Sequence, residues 1–359
     1  MPSWLTFLLV LSVLVVVHEY GHFIVARLVG IRVEKFSIGF GPVIFSRKSG
    51  ETEFCFSLLP LGGFVKLAGE DANESKGASW EFGSKPLLQK FAVVFAGPVM
   101  NALLAFILFT SIYLVGQPIL TTKVGKVLDH TPAKEAGMLA DDRIVAVNGI
   151  QVRFWEELLK EIHKSDESLL LLVERKGATL SFPLKPKIEE NRDVFGKVTR
   201  HSFIGVAPSS EILSLPSDFP TAVRLGAERV VTLTLMIFSS LWLMATGAMP
   251  FKESLTGPIG IFVMTQQAAQ MGIVYLFYFM GSWSVSLFVL NILPIPVLDG
   301  GHMLFILLER LKGKPLSDTF KERMTQGGLA MLLALMAVVI FQDIQRFAVI
   351  ENVKKFFGG

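Results

Sequence analysis

Apolar runs long enough to cross a bilayer alternate along this chain with stretches in which charge and turn residues return. Residues 4–28, 91–115, 273–298 and 324–341 each approach or exceed the roughly 20 apolar residues needed to span about 30 Å of hydrocarbon, which predicts four transmembrane helices. Basic residues set their direction. Arg32, Lys35, Arg47, Lys48, Lys66, Lys76, Lys85 and Lys90 lie between the first two runs, and Arg310, Lys312, Lys314, Lys321 and Arg323 between the last two. Lysine and arginine are enriched in short cytoplasmic loops, so both connections are placed inside and residues 116–272 outside. The uncharged stretch 230–250 also has the length of a span, but one extra crossing would put the last basic loop outside. It carries Thr232, Thr234, Ser239, Ser240 and Thr246 and is expected to lie on, or partly in, the outer leaflet.

Between the spans the period changes. Residues 36–67 alternate and are punctuated by Gly39-Phe40-Gly41-Pro42, Ser49-Gly50 and Gly62-Gly63, the pattern of a β-hairpin turning at Lys48-Ser49-Gly50. A hairpin this apolar beside a span either re-enters the membrane, where protein or water must satisfy its backbone, or caps a small cytosolic core. In 116–208 short strands and turns replace the long runs. Thr131-Pro132-Ala133 opens a helical turn, Asp142–Asn148 reads as a strand ending in the tight Asn148-Gly149 turn, 154–163 as a helix and 203–206 as a late strand. That order resembles a single permuted PDZ domain of the bacterial type. Such a domain implies either binding of extended peptide ends by strand addition or a rigid steric module.

Composition confirms the class. With 51% hydrophobic and 18% charged residues and a mean hydropathy of +0.53, this is an integral membrane protein. A net charge of +3 is too small to point to nucleic acid. The single cysteine, Cys55, excludes an internal disulfide and a multi-cysteine metal site. Residues 1–17 lack a basic leader segment and a small-x-small cleavage pattern, so the first run is expected to be retained as a span.

Chemistry concentrates at two points. His18-Glu19-Tyr20-Gly21-His22 lies in the first apolar run, and in a helix residues four apart share a face. Two imidazoles at that spacing can hold zinc, with the adjacent carboxylate positioned to take a proton from an activated water. The alternative is two histidines and a glutamate snorkelling at a helix end. The third run ends in Asn291-Ile292-Leu293-Pro294-Ile295-Pro296-Val297-Leu298-Asp299-Gly300-Gly301-His302. Two prolines two apart must break the helix and free backbone groups at membrane depth. Asp299 then emerges at a depth comparable to His18 and His22, and two histidines, one carboxylate and a water would complete a tetrahedral site. His302, three residues on, is either a ligand or a partner of Asp299.

Together with Gly97-Pro98-Val99-Met100-Asn101 in the second run and the inserted PDZ-like region, these motifs resemble the site-2 intramembrane zinc metalloproteases. Within them the likeness is to the bacterial group that includes the regulator of sigma-E protease, with one PDZ copy where that group often has two. The resemblance implies His18, His22 and Asp299 as ligands of one Zn2+ and Glu19 as catalytic acid and base. It implies Asn291, Pro294 and Pro296 as a substrate-contacting broken segment, and Gly39, Phe40 and Gly41 as part of a membrane re-entrant β-loop. The implied substrates are single-span membrane proteins such as anti-sigma factors or remnant signal peptides, cut after another protease has acted, in a bacterial cytoplasmic membrane with the active site toward the cytoplasm. The expected fold is an α-helical integral membrane protein of four transmembrane helices with a re-entrant β-hairpin and an inserted extracytoplasmic α+β PDZ domain. Its expected parts are 1–115, 116–208, a membrane-associated linker 209–272 with the interfacial helix, and 273–359. The competing reading is a non-catalytic membrane receptor whose PDZ domain binds exported protein ends; it needs neither metal nor Glu19.

Overall fold

The computed structural model describes residues 2–70, 76–165, 167–192, 198–250 and 255–347; what was expected of 251–254 and of the tail beyond 347 lies outside the described residues. The chain divides into two units. One combines Met1–Ser111, Val223–Leu241 and Pro250–Gly359; the other combines Ile112–Ala222 and Trp242–Met249.

Helix α1 (Ser3–Leu28) takes up the first apolar run. It ends where Gly30 adopts φ 70°, a left-handed conformation that glycine enters without penalty. Strands β1 (Val33–Ser49) and β2 (Thr52–Leu67) form the predicted hairpin, with Ser49 opposite Thr52. Each strand is longer than a simple hairpin needs and is bent on itself. Phe36 pairs with both Phe54 and Val65, and Arg47 pairs with Phe54, so four short segments share one sheet instead of two long strands. The bend in β1 falls at Gly39 (φ 90°) and Gly41 (φ 85°), and a Cβ on Gly39 would sit 2.7 Å from the Leu59 carbonyl oxygen. The base of this sheet packs on the end of α1 and the start of the next helix through Ala26, Ile31, Val33, Leu67 and Val93. Its tip leaves Val43, Ile44, Phe45, Phe56 and Leu58 exposed.

Helix α2 (Leu87–Val115) begins four residues earlier than the second apolar run and carries Pro98 inside it. The chain then enters the second unit through β3 (Gln117–Leu120) and β4 (Val124–Val127), followed by the one-turn helix α3 (Pro132–Glu135). Strands β5 (Arg143–Val147) and β6 (Ile150–Gln151) are joined by Asn148 and Gly149, both at positive φ, as the tight-turn pattern predicts. The expected helix is α4 (Trp155–His163). Strands β7 (Leu169–Arg175) and β8 (Ala178–Leu184) complete a four-stranded sheet in the order β6-β5-β7-β8. Leu158 and Ile162 of α4 join Ile144, Leu169, Leu171 and Val173 in one core. A further hairpin, β9 (Lys187–Arg192) with β10 (Val198–Phe203), follows. The late strand expected at 203–206 is interrupted, because Gly205 turns at φ 88° before β11 (Val206–Pro208) pairs with β4. Strand β12 (Ile212–Leu215) zips antiparallel onto β3, so 209–215, expected in the linker, closes this unit.

Helix α5 (Phe219–Ala245), whose Val223–Leu241 part belongs to the first unit, is continuous over 27 residues. It starts well before the uncharged stretch because Arg224, Glu228 and Arg229 are carried on helical turns, with an ion pair between Arg224 and Glu228. Length and composition make α5 as able to cross a membrane as α1, α2 and two later helices, so five described helices qualify where four were expected. Near its start, Gly226 packs on Thr110 of α2. Helix α6 (Pro258–Met271) is only 14 residues long. Its N-terminus is capped across 83 residues of sequence or more by the buried Asp343, whose carboxylate accepts the Gly257 and Gly260 N–H groups at 3.1 and 2.8 Å.

Helix α7 (Ile273–Ile292) stops six residues short of the expected end, at Leu293-Pro294, and α8 (Asp299–Lys312) starts afresh. The prolines remove two amide donors and end the helix, as the sequence predicts, but Asp299 opens a new helix instead of closing the span. Helix α9 (Asp318–Arg346) exceeds the expected 324–341 at both ends. Val10, Leu14, Leu108 and Met280 hold α1, α2 and α7 together, so α1 carries one apolar cluster toward each end with the histidine motif between them.

Candidate metal centre

His18 and His22 are one helical turn apart on α1, and both rings face α2. Along α2 the facing positions are Val93, Gly97 and Asn101, spaced by four and so on one stripe. Gly97 sits opposite both imidazoles: a Cβ there would collide with the His22 and His18 rings. Gly21 likewise has no room for a Cβ against the Ala96 carbonyl, so two glycines set the close approach of α1 and α2. Pro98 supplies no N–H to the Val94 carbonyl four residues back, and on the preceding residue the Val93 carbonyl oxygen lies 2.9 Å from His22 Nδ1. A carbonyl only accepts, so His22 Nδ1 carries the proton and its Nε2 keeps a lone pair for the site.

Asp299 comes to these histidines from 281 residues away in sequence (299 − 18), with Oδ2 3.1 Å from His18 Nε2 and Oδ1 3.6 Å from His22 Nε2. The two Nε2 atoms are 3.1 Å apart. Gly300 and Gly301 make that position reachable, since a Cβ on either would strike the backbone of residues 292–296, so the first turn of α8 lies directly on the broken segment. Three of the expected site residues are thereby gathered, and they are the one group of metal-ligating side chains found among the described residues. Four donors about 2.0–2.1 Å from a tetrahedral zinc ion lie about 3.3 Å from one another, close to the 3.1–3.6 Å separations here. Asp299 Oδ2 is buried and receives no hydrogen bond from any described residue, a costly condition for a carboxylate unless a cation meets it. The donor set fits one zinc ion.

Glu19 is next to His18 and half-buried. Its Cγ would lie 3.3 Å from a Cβ on Gly63, and its carboxylate accepts the Val65 N–H, which puts the last segment of β2 beside it. Of the residues expected to meet substrate, Pro294 and Pro296 lie in the break that leads into Asp299, and Asn291 on the last turn of α7. Thr325 of α9 donates to the Pro296 carbonyl at 3.3 Å. Gly39 and Gly41 shape the bend of β1, where Phe40 stacks on Phe64 at 6.3 Å. His302 is not a member of that group, is exposed, and meets Phe305 edge-on. The Val93 carbonyl was not singled out from the sequence, and Asn101 was named there only within the Gly97–Asn101 motif, with no role of its own; its signal was an amide one turn from a glycine inside an apolar run.

The profile of peptidase family M50 matches residues 6–335. The Campylobacter jejuni protein Cj1068 is 34% identical over 96% of this chain and 94% of its own length. The regulator of sigma-W protease RasP of Bacillus subtilis is 31% identical over 95% of this chain and 98% of its own. The zinc metalloprotease RasP of Bacillus licheniformis is 28% identical over 96% and 99%. Among solved structures, the PDZ domain of an SdrC-like protein from Listeria innocua, 19% identical, covers 25% of this chain and 96% of its own at a TM-score of 0.20.

Proposed function

The chain belongs to peptidase family M50 and is a zinc metalloprotease of the membrane, and from that premise we propose that it cleaves single-span membrane proteins within or beside their transmembrane segment. The observation that carries this reading is the ligand group of His18, His22 and Asp299, built from helices α1 and α8 inside the apolar unit, with Glu19 beside it. The receptor reading, which requires no metal, is set aside by the family.

In this reading His18 Nε2, His22 Nε2 and an Asp299 oxygen hold the zinc, which when bound polarises a carbonyl and makes water acidic enough to attack it near neutral pH. Glu19 takes the proton of the attacking water and returns it to the leaving amine. A helical substrate hides its peptide bonds in its own hydrogen bonds, so a short length must be drawn out and its backbone satisfied elsewhere. The last segment of β2, next to Glu19, offers backbone groups for that purpose, with Asn291, Pro294 and Pro296 of the broken segment as further substrate contacts and Gly39, Phe40 and Gly41 shaping the sheet.

The name of the Bacillus subtilis relative supports sigma-factor regulators as one substrate class, with remnant signal peptides a second, each trimmed first by another protease. The basic loops support a bacterial cytoplasmic membrane with the zinc toward the cytoplasm and the inserted unit outside. That unit, with its four-stranded sheet covered by α4, is read as a PDZ domain that gates entry by size.

Purified full-length protein in detergent should contain zinc and cut a single-span substrate inside its apolar segment, as located by mass spectrometry of the fragments. The cut should vanish on chelation and return with zinc. Cleavage confined to the soluble flanks of the substrate would sink the intramembrane assignment.

A further inference from the structure

Asn101 is fully buried in the middle of α2 and is more than a space-filling residue by three measures. Its side-chain nitrogen Nδ2 lies 3.1 Å from His18 Nδ1, the contact that a half-turn of the amide would give to Oδ1. Its Oδ1 is buried with no partner among the described residues, a condition that costs free energy for a neutral polar atom. Its backbone carbonyl accepts a 2.7 Å hydrogen bond from the buried Ser284 hydroxyl, which fixes this turn of α2 against α7.

The two ends of a primary amide exchange by a half-turn with almost no change in shape. With Oδ1 turned to His18, the orphaned oxygen and the imidazole satisfy each other: Nδ1–H donates, Oδ1 accepts, and Nε2 is left with its lone pair. With nitrogen turned to His18, Nδ1 must accept and the proton moves to Nε2, where it blocks ligation. The neighbouring ring shows what the site requires, for His22 is held as the Nδ1–H form by the Val93 carbonyl. Val93 and Asn101 are two turns apart on α2, on either side of Gly97.

We propose that Asn101 is a positioning residue whose amide oxygen holds His18 in the Nδ1–H tautomer, with Nε2 aimed at the zinc. It does for His18 what a backbone carbonyl does for His22. An amide suits this place because it accepts as a carboxylate does without adding a second negative charge beside Asp299. The inference rests on His18 being a ligand.

The test uses full-length protein in detergent, with zinc retention measured against a graded series of chelator concentrations. Thermal unfolding of the metal-stripped proteins is followed in parallel. Asn101→Leu keeps the volume and removes the acceptor; it should hold zinc about 10–100-fold more weakly while the metal-stripped protein unfolds as wild type does. Asn101→Asp keeps an acceptor and should hold zinc far better than Asn101→Leu. If leucine prevents folding, Asn101→Ala takes its place in the comparison with Asn101→Asp. Wild-type zinc retention in Asn101→Leu, or equal loss in a folded Asn101→Asp, would overturn the proposal. His18→Ala separates the two levels. If that variant loses zinc and Asn101→Leu does not, only the Asn101 role fails; if His18→Ala keeps zinc, the ligand assignment beneath it fails.

Discussion

Replacing Glu19 by glutamine removes a proton acceptor from the site while leaving its size and all three candidate ligands in place. Glu19→Gln should therefore lower cleavage by about 10²–10⁴-fold with zinc content unchanged, read by substrate cleavage beside metal analysis of the same sample. Zinc content is also what separates Asp299 from His302. Asp299 Oδ2 lies 3.1 Å from His18 Nε2, whereas His302 is turned out onto Phe305. Asp299→Ala should lose most of its zinc and His302→Ala should keep it; the reverse result would move the third ligand to His302.

At the scale of elements, the inserted unit is locked by one buried carboxylate between β5 and β7. Asp142 accepts from Arg175 Nε at 2.6 Å, Arg175 Nη2 at 2.7 Å and the Leu139 N–H at 2.8 Å. Burial pushes this carboxyl up, but the Arg175 guanidinium and the Leu139 amide together hold it below the usual carboxylate range. A group depressed on folding stabilises above its unfolded pKa of about 3.9, and the contribution is lost as pH falls through the folded value. Asp142→Asn should thus cost about 3 kcal/mol at pH 7 and progressively less below about pH 4, measured by hydrogen exchange of the β5 and β7 amides. Helix α5 poses a different question, since nothing in its composition separates lying from crossing. Cysteines placed singly at Ser217 and Ala248, in a Cys55→Ser background, should both react with an impermeant thiol reagent added outside if α5 lies on the outer leaflet. Reaction of only one means that it crosses.

For the whole molecule, the gate reading makes the inserted unit dispensable for chemistry. The pairing of β3 with β12 makes its removal practical, because Leu120 and Ile212 are already partners and a tight turn can join them. Deleting 121–208 with such a closure should preserve cleavage of a substrate with a short external part and permit some cleavage of one with a large external domain. A deleted protein that folds, holds zinc and fails on the short substrate would show instead that the unit delivers substrate through its groove.

Much of this was readable along the chain because it is local. The spacing of His18 and His22 follows from helical pitch, the break at Pro294 and Pro296 from a missing amide, and the Asn148-Gly149 turn from the tolerance of those residues for positive φ. Membrane residence follows from apolar length alone. What the sequence did not decide is which faces meet. The four-segment order of the β1–β2 sheet depends on where each strand doubles back, and either a straight or a bent hairpin satisfies the alternation. Above all, the arrival of Asp299 and Asn101 at His18 is set by three helices packing together across more than 80 residues of sequence. Backbone preferences act over a few residues, whereas a metal-sized gap between distant side chains exists only once the helices have closed around it.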